Sequence, residues 1–268
     1  MPTQPSHCSW FQDTGTTLST VDGKEVRIID FNHQQNDEIL REWATHLRRH
    51  YSSDEDLERF STSMGMSRSD YLRDIKLPNN TNLGPSIRSG DFSEILVADY
   101  IQFLMNYDVP RTRYDRKAIP NSSTQGTDIL GFKFSENGTS SNDELITCEV
   151  KGSLRTASNT LQKAIEDSKK DFETRLPIAL NATLQRLKDR GETESIRTVE
   201  RFMNQTSIPY KQITGAFLVC SNSCWADDMV TQSDSSDHPN PHTIFLAFRG
   251  VDLMDLTNRL YETAYVTA

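Results

Sequence analysis

The stretch Leu145-Ile-Thr-Cys-Glu-Val-Lys151 (LITCEVK) decides how this chain is read. A β-strand alternates its faces with a period of two, so Ile146, Cys148 and Val150 share an apolar face while Thr147, Glu149 and Lys151 share the other. An acid and a base two residues apart are commonplace on a solvated strand face, and the pair carries little weight alone. The preceding strand adds to it. Gly126-Thr-Asp128-Ile-Leu-Gly-Phe132 puts an acid at the head of an apolar run, directly after a glycine turn. Thr127 to Phe134 and Glu144 to Lys151 flank Asn137-Gly138, a strong turn signal, which predicts an antiparallel hairpin. The start of one hairpin strand lies beside the end of the other, so Asp128 meets Glu149 and Lys151 at one sheet edge. A turn aspartate that caps its own backbone is the plainer account of a single Asp after Gly. Two carboxylates and a lysine at one edge instead fit Mg²⁺, a hard cation that takes a few carboxylates and keeps water and phosphate oxygens in its other positions.

A third carboxylate stands upstream in Gly90-Asp-Phe-Ser-Glu94. It opens an amphipathic helix predicted from Ser89 to Met105, with Ile95, Leu96, Ala98, Ile101 and Leu104 as apolar positions. The helix dipole favours acids in a first turn whatever their function, so Glu94 draws its interest from order and spacing.

Residues 1 to about 24 are rich in Thr, Ser and Gln and read as a loose lead-in; Val26 to Phe31 is a strand candidate. Helical patterns cover Asp37 to Tyr51, Ser53 to Phe60 and Ser67 to Ile75, with Ser67 as a cap. The turn-rich LPNNTNLG, Leu77 to Gly84, marks a boundary between a mostly helical part, residues 1–84, and a core, residues 85–268. Within the core a short strand is expected over Thr112 to Tyr114. A long helix is expected from Thr156, broken at Pro177, resumed to Arg190 and closed by Gly191, with another helix from Glu192 to Asn204. Gly215 to Cys220 and Thr243 to Phe248 are apolar runs of buried-strand length, and Asp252 is a candidate cap for a last helix carrying Leu253, Leu256 and Leu260. This order predicts an α/β fold, a mixed sheet flanked by helices.

The chain has 268 residues, a net charge of −9 and 35% hydrophobic residues. No run approaches a membrane span, and Met1 to Phe11 lacks the basic and apolar regions of a secretory signal, so a cytoplasmic protein with no membrane partner is expected. The acidic balance argues against strong unaided binding to DNA, whose backbone is gripped by many Lys and Arg contacts. Arg111-Thr-Arg113-Tyr-Asp-Arg116-Lys117 is the one dense basic run near the proposed site. Arg111, Arg113, Arg116 and Lys117 are candidate phosphate contacts, or else the charges of a solvated loop or edge. Four cysteines do not make a disulfide scaffold, and Cys148 reads as a core residue. Cys220-x₃-Cys224 and His238-x₃-His242 have roughly zinc-finger spacing, but Pro239 and Pro241 exclude the helix that a finger needs.

Gly90-x-x-x-Glu94, Gly126-x-Asp128 and Glu149-x-Lys151, in the order helix, strand, strand, resemble the PD-(D/E)xK phosphodiesterase superfamily, whose fold is restriction-endonuclease-like. Its RecB-like branch adds Gln-x-x-x-Tyr on the next helix; here Gln162 is followed by Glu166 in the tyrosine's place. The stretches GDFSEILVADYI, VPRTRYDRKAIPNSSTQGTDILGF and ELITCEVKGS together resemble HamA, the nuclease-like subunit of Hachiman anti-phage defence systems, over roughly residues 85–155. The resemblance implies a Mg²⁺-dependent DNA nuclease, with Mn²⁺ as a substitute ion, working with the superfamily 2-type helicase HamB. Delivery of DNA by that partner would account for an acidic chain. Together with the chemistry, the resemblance implies that Asp128, Glu149 and Glu94 hold or orient metal ions, with the Val150 carbonyl a candidate further ligand. Lys151 would orient the attacking water or stabilise developing charge. A non-catalytic clamp or regulatory subunit of the helicase is the alternative, and a stand-alone restriction enzyme is disfavoured by the negative charge.

Overall fold

The structure is a computed structural model and describes residues 3–135, 139–157 and 160–268. Its frame is a six-stranded sheet in the order β1-β2-β6-β5-β4-β3. The strands are β1 (Phe11–Ser19), β2 (Glu25–Phe31), β3 (Ile129–Lys133), β4 (Glu144–Ser153), β5 (Lys211–Ser221) and β6 (Thr243–Gly250). The four inner strands run parallel and each edge is closed by an antiparallel neighbour. That pattern explains the continuous apolar runs of β5 and β6, which are covered on both faces.

The helices are α1 (Asp37–Tyr51), α2 (Asp54–Ser63), α3 (Arg68–Tyr71), α4 (Gly84–Asp99), α5 (Thr160–Lys170), α6 (Leu176–Arg190), α7 (Thr193–Phe202), α8 (Asp228–Thr231) and α9 (Leu253–Val266). α1, α4 and α9 share one core with the Ile146–Cys148–Val150 face of β4. α5 and α8 pack on the other face, as do α6 and α7, in two separate apolar clusters. α1 starts where the Asn36 side chain accepts from the backbone N–H of Glu38 and Ile39, and it buries Leu40, Trp43, Ala44, Leu47 and Tyr51. Ser53 and Ser67 cap α2 and α3 in the same way. Gly191, at φ 71°, closes α6 in the left-handed conformation.

Several expectations need correction. The supposed lead-in contains β1, whose side chains are mostly exposed and whose pairing shifts between Asp13 and Thr17. It is a polar edge strand without apolar alternation, which hides it from pattern reading. Residues 112–114 form no strand; just upstream, Asp108 makes an isolated bridge to Phe132. α4 begins five residues earlier than the pattern indicated and passes into a π-helical turn, Tyr100–Leu104, which leaves Leu104 40% exposed. Asp252 precedes α9 at φ 46° with no side-chain cap bond. The expected Asn137-Gly138 turn lies outside the described residues, but the antiparallel pairing of β3 with β4 stands, from Ile129 opposite Cys148 to Lys133 opposite Glu144. No helix among the described residues is long and apolar enough to cross a membrane.

Candidate active site

The hairpin register brings Asp128, the residue before β3, against the far end of β4. Its Oδ2 accepts from the Val150 N–H at 2.9 Å. Glu149 and Lys151, neighbours of Val150 on the opposite strand face, lie 3.4 Å apart between Nζ and Oε2. At Gly152 the two sides of the sheet meet closely. A Cβ there would sit 2.6 Å from Ser93 Oγ, so only glycine lets α4 approach β4 this tightly. Glu94, the next residue along α4, is thereby carried to the sheet edge from the other face. Arg113 completes the link, with Nε 2.7 Å from Glu94 and Nη2 2.6 Å from Asp128. The Tyr114 hydroxyl donates to the same Glu94 oxygen, Oε2.

Two acids that the sequence reading did not select join them. α5 passes into a π-helical turn, Asp171–Arg175, before Pro177 starts α6. The turn points Asp171 inward, where its Oδ1 accepts from Thr127 Oγ1 at 3.0 Å while its buried Oδ2 has no hydrogen-bond partner. Asp128 and Asp171 both reach the Glu149 carboxyl. Arg175 Nη1 lies 3.2 Å from Glu149 and 3.6 Å from Asp171. Asp167 holds Lys151 at 2.8 Å. The sequence does contain an i, i+4 acid–arginine pair at 171 and 175, but many surface helices carry one.

Burial raises the pKa of Glu149, and the nearby Asp128 and Asp171 charges push it further, to about 9. Glu94 is raised by burial first and then by Asp128 and Asp91, against the pull of Arg113. Asp171 is raised by burial and Asp128. Burial works against the Lys151 charge, but Asp167, Glu149 and Asp128 outweigh it and raise its pKa. Perturbed acids of this kind mark a site built to hold more negative charge than its own cations neutralise.

The donor set suits a divalent ion. Hard carboxylate oxygens crowd one another, and one buried oxygen of Asp171 is orphaned, so a cation among Asp128, Glu149 and Asp171 would relieve both. Beside the site a cleft of about 300 Å³ is lined by Thr112, Gly126, Asp128, Arg175 and Arg186.

The four candidate phosphate contacts are dispersed. Arg113 is inside the site. Lys117 is buried in an ion pair with Asp91 at 2.6 Å. Arg111 bonds Asp99 at 2.7 Å and Gln102 at 2.8 Å. Arg116 is exposed and pairs with Asp189. Gln162 spans from Glu166 to the backbone N–H of Asp234, tying α5 to the loop after α8. Cys220, Cys224, His238 and His242 go to separate uses. Both cysteines are buried and free, and His238 lies 3.2 Å from Ser168 Oγ. Among the described residues, no three of these four bring ligand atoms within 4.8 Å of one another.

Fold and site together define a class: an α/β protein with a helix-flanked mixed sheet, gathering acids and a lysine where its edge hairpin ends. The family model for HamA matches residues 6–264, and the chain belongs to the HamA family, a component of Hachiman defence. No curated protein matches the chain.

Proposed function

We propose that the chain is a metal-dependent DNA nuclease, the effector subunit of an anti-phage complex in which a superfamily 2-type helicase, HamB, delivers the DNA. The observation that carries this reading is the convergence of Glu94, Asp128, Glu149 and Lys151, drawn from three elements, into one partly buried cluster. A structural subunit would have no need of a lysine held between two acids at the edge of a carboxylate cluster.

Asp128, Glu149 and Asp171 would hold Mg²⁺, or Mn²⁺ in its place, which supplies Lewis-acid polarisation of the phosphate and a more acidic bound water. Lys151, steered by Asp167, is placed to donate to the attacking water or to the oxygen that gains charge. Glu94 acts through Arg113, which it shares with Asp128. Arg175 and Arg186 line the adjoining cleft and are candidate phosphate contacts, alongside Arg116.

One observation favours the other reading, a regulatory subunit with a nuclease-like fold: Arg113 and Arg175 already pair with Asp128 and Glu149, two of the acids a metal would need. Cleavage of linear and circular DNA with Mg²⁺, with and without the helicase and ATP, separates the two. Loss of cleavage in Glu149→Ala and Lys151→Ala supports the enzyme. Cleavage unchanged in both variants overturns the site.

A further inference from the structure

Between α1 and the C-terminal end of α4 lies a second polar cluster that the nuclease reading does not use. His46 and His50 are one helical turn apart on α1, which puts their rings on one face. Their Nε2 atoms are 3.3 Å apart, and His46 Nε2 is 3.0 Å from Asp99 Oδ1 on α4. Among the described residues, His46, His50 and Asp99 are the one group of three His, Cys, Asp or Glu side chains whose ligand atoms all lie within 4.8 Å of one another.

The protons do not balance in such an arrangement. His46 Nε2 faces two acceptors, Asp99 Oδ1 and His50 Nε2, and a neutral ring offers it at most one proton. If that proton goes to Asp99, His46 Nε2 has no lone pair left to accept from His50, and His50 Nε2 can take only a share of a proton already given to the carboxylate. If His50 donates to His46, then His46 turns a lone pair on the carboxylate. A cation at the meeting point satisfies all three atoms. The spacing agrees, since two nitrogens bound at about 2.0–2.1 Å to a tetrahedral zinc lie about 3.4 Å apart.

The surroundings match what such ligands need. Asp99 is held from behind by His7, whose Nε2 is 3.0 Å from Oδ2 and whose ring stacks on Trp43 at 4.3 Å. A second layer of this kind fixes a ligand's orientation. His50 and Asp99 are buried, whereas His46 is partly exposed and borders an open cleft with His50, Arg49, Asp115 and Arg190, through which an ion can enter.

We propose that His46, His50 and Asp99 form a binding site for a first-row divalent transition metal, zinc in the first instance, with its remaining position open to the cleft. Two imidazoles and one carboxylate disfavour Mg²⁺, which takes oxygen ligands. Arg111 is the competitor, its Nη2 2.7 Å from Asp99 Oδ1; its bonds to Gln102 Oε1 give it a place to remain when the ion binds.

The test is a Zn²⁺ titration of the chelator-stripped full chain in excess Mg²⁺, followed by calorimetry and by thermal melting. One Zn²⁺ per chain is expected. Binding should weaken at least tenfold in His46→Gln and His50→Gln, and tighten several-fold in Arg111→Ala. It should stay unchanged in Glu149→Gln, which separates this site from the proposed nuclease centre. A wild-type chain that takes up no Zn²⁺, or one whose binding survives both histidine changes, overturns the proposal. So does binding abolished by the double change Cys220→Ser and Cys224→Ser. Should the histidine variants not fold, Co²⁺ bound to the wild-type chain decides. A visible spectrum without thiolate charge transfer is expected, and thiolate bands or no spectrum at all overturn the site.

Discussion

Helix α4 carries partly buried Glu94 and, five residues on, buried Asp99, and their surroundings push the two carboxylates in opposite directions. Glu94 belongs to a cluster where acids outnumber cations, so burial and the Asp128 and Asp91 charges raise its pKa. Asp99 stands alone among His7, His46 and Arg111. Burial works against its charge, but His46 and Arg111 more than compensate and hold it well below the ordinary carboxylate range. Burial, with His46 and Arg111 adding to it, takes the neighbouring His50 well below its usual value. Local charge balance, not depth, therefore decides what each half of the helix accepts. The hairpin side offers repelling oxygens, and the α1 side offers lone pairs around one stable anion.

The largest expected effect breaks the second half of this contrast. Asp99→Asn removes the anion that buried His7, Arg111 and partly buried His46 all face. Losing one partner of a buried ion network costs about 3–5 kcal/mol, read by urea denaturation. If the variant matches the wild type, Asp99 does not organise that cluster.

On the hairpin side, Lys151→Ala should lower Mg²⁺-dependent cleavage by the helicase-bound chain about 10²–10³-fold, the cost of one donor at a developing charge. Stability should hardly change, because Lys151 is only partly buried.

A gentler change sharpens the contrast through pH. In metal-free protein the folded Glu149 pKa lies far above its unfolded value, so the folded chain binds the extra proton between the two. Stability is then greatest below the ordinary carboxylate range and falls as pH rises towards about 9. Glu149→Gln should flatten that decline in the melting temperature, and added Mg²⁺ should offset it in the wild type while releasing protons. A metal-free chain that gains stability over this range contradicts the excess of buried negative charge.

The smallest effect belongs to the surface. Arg116→Ala should reduce the slope of log binding against log salt by about one at most, since one phosphate contact contributes about 0.9. No change would assign Arg116 to its Asp189 pair alone.

Much of this was legible in the chain because the deciding patterns are local. The period-two alternation of LITCEVK puts Ile146, Cys148 and Val150 in the core and Glu149 and Lys151 on the other face, and the hairpin pairing brings Asp128 to them. Helix caps at Asn36, Ser53 and Ser67 follow the same kind of short-range rule. What escaped depends on tertiary context. Asp171 looks like any acid in a charged helix until a π-helical turn rotates it inward. Arg113 and Lys117 read as a basic patch because nothing nearby in sequence reveals the acids they meet, on α4 and at the head of β3. His46 and His50 sit at metal-ligand spacing, yet their third partner is 53 residues from His46 on another helix. β1 was hidden by its polarity, as an edge strand facing water should be.

The sheet's long-range pairing has a consequence for how the protein comes into being. β2 has only β1 as a local neighbour; its other edge waits for β6, where Asp30 meets Arg249, 219 residues away. At about 5–20 residues per second, a ribosome needs roughly ten to forty seconds to supply it. β4 likewise waits for β5, so the strand that carries Glu149 and Lys151 has no parallel support until most of the chain has been made. A nascent chain therefore lacks the finished acid–lysine cluster, which gains its parallel support only once β5 has been made.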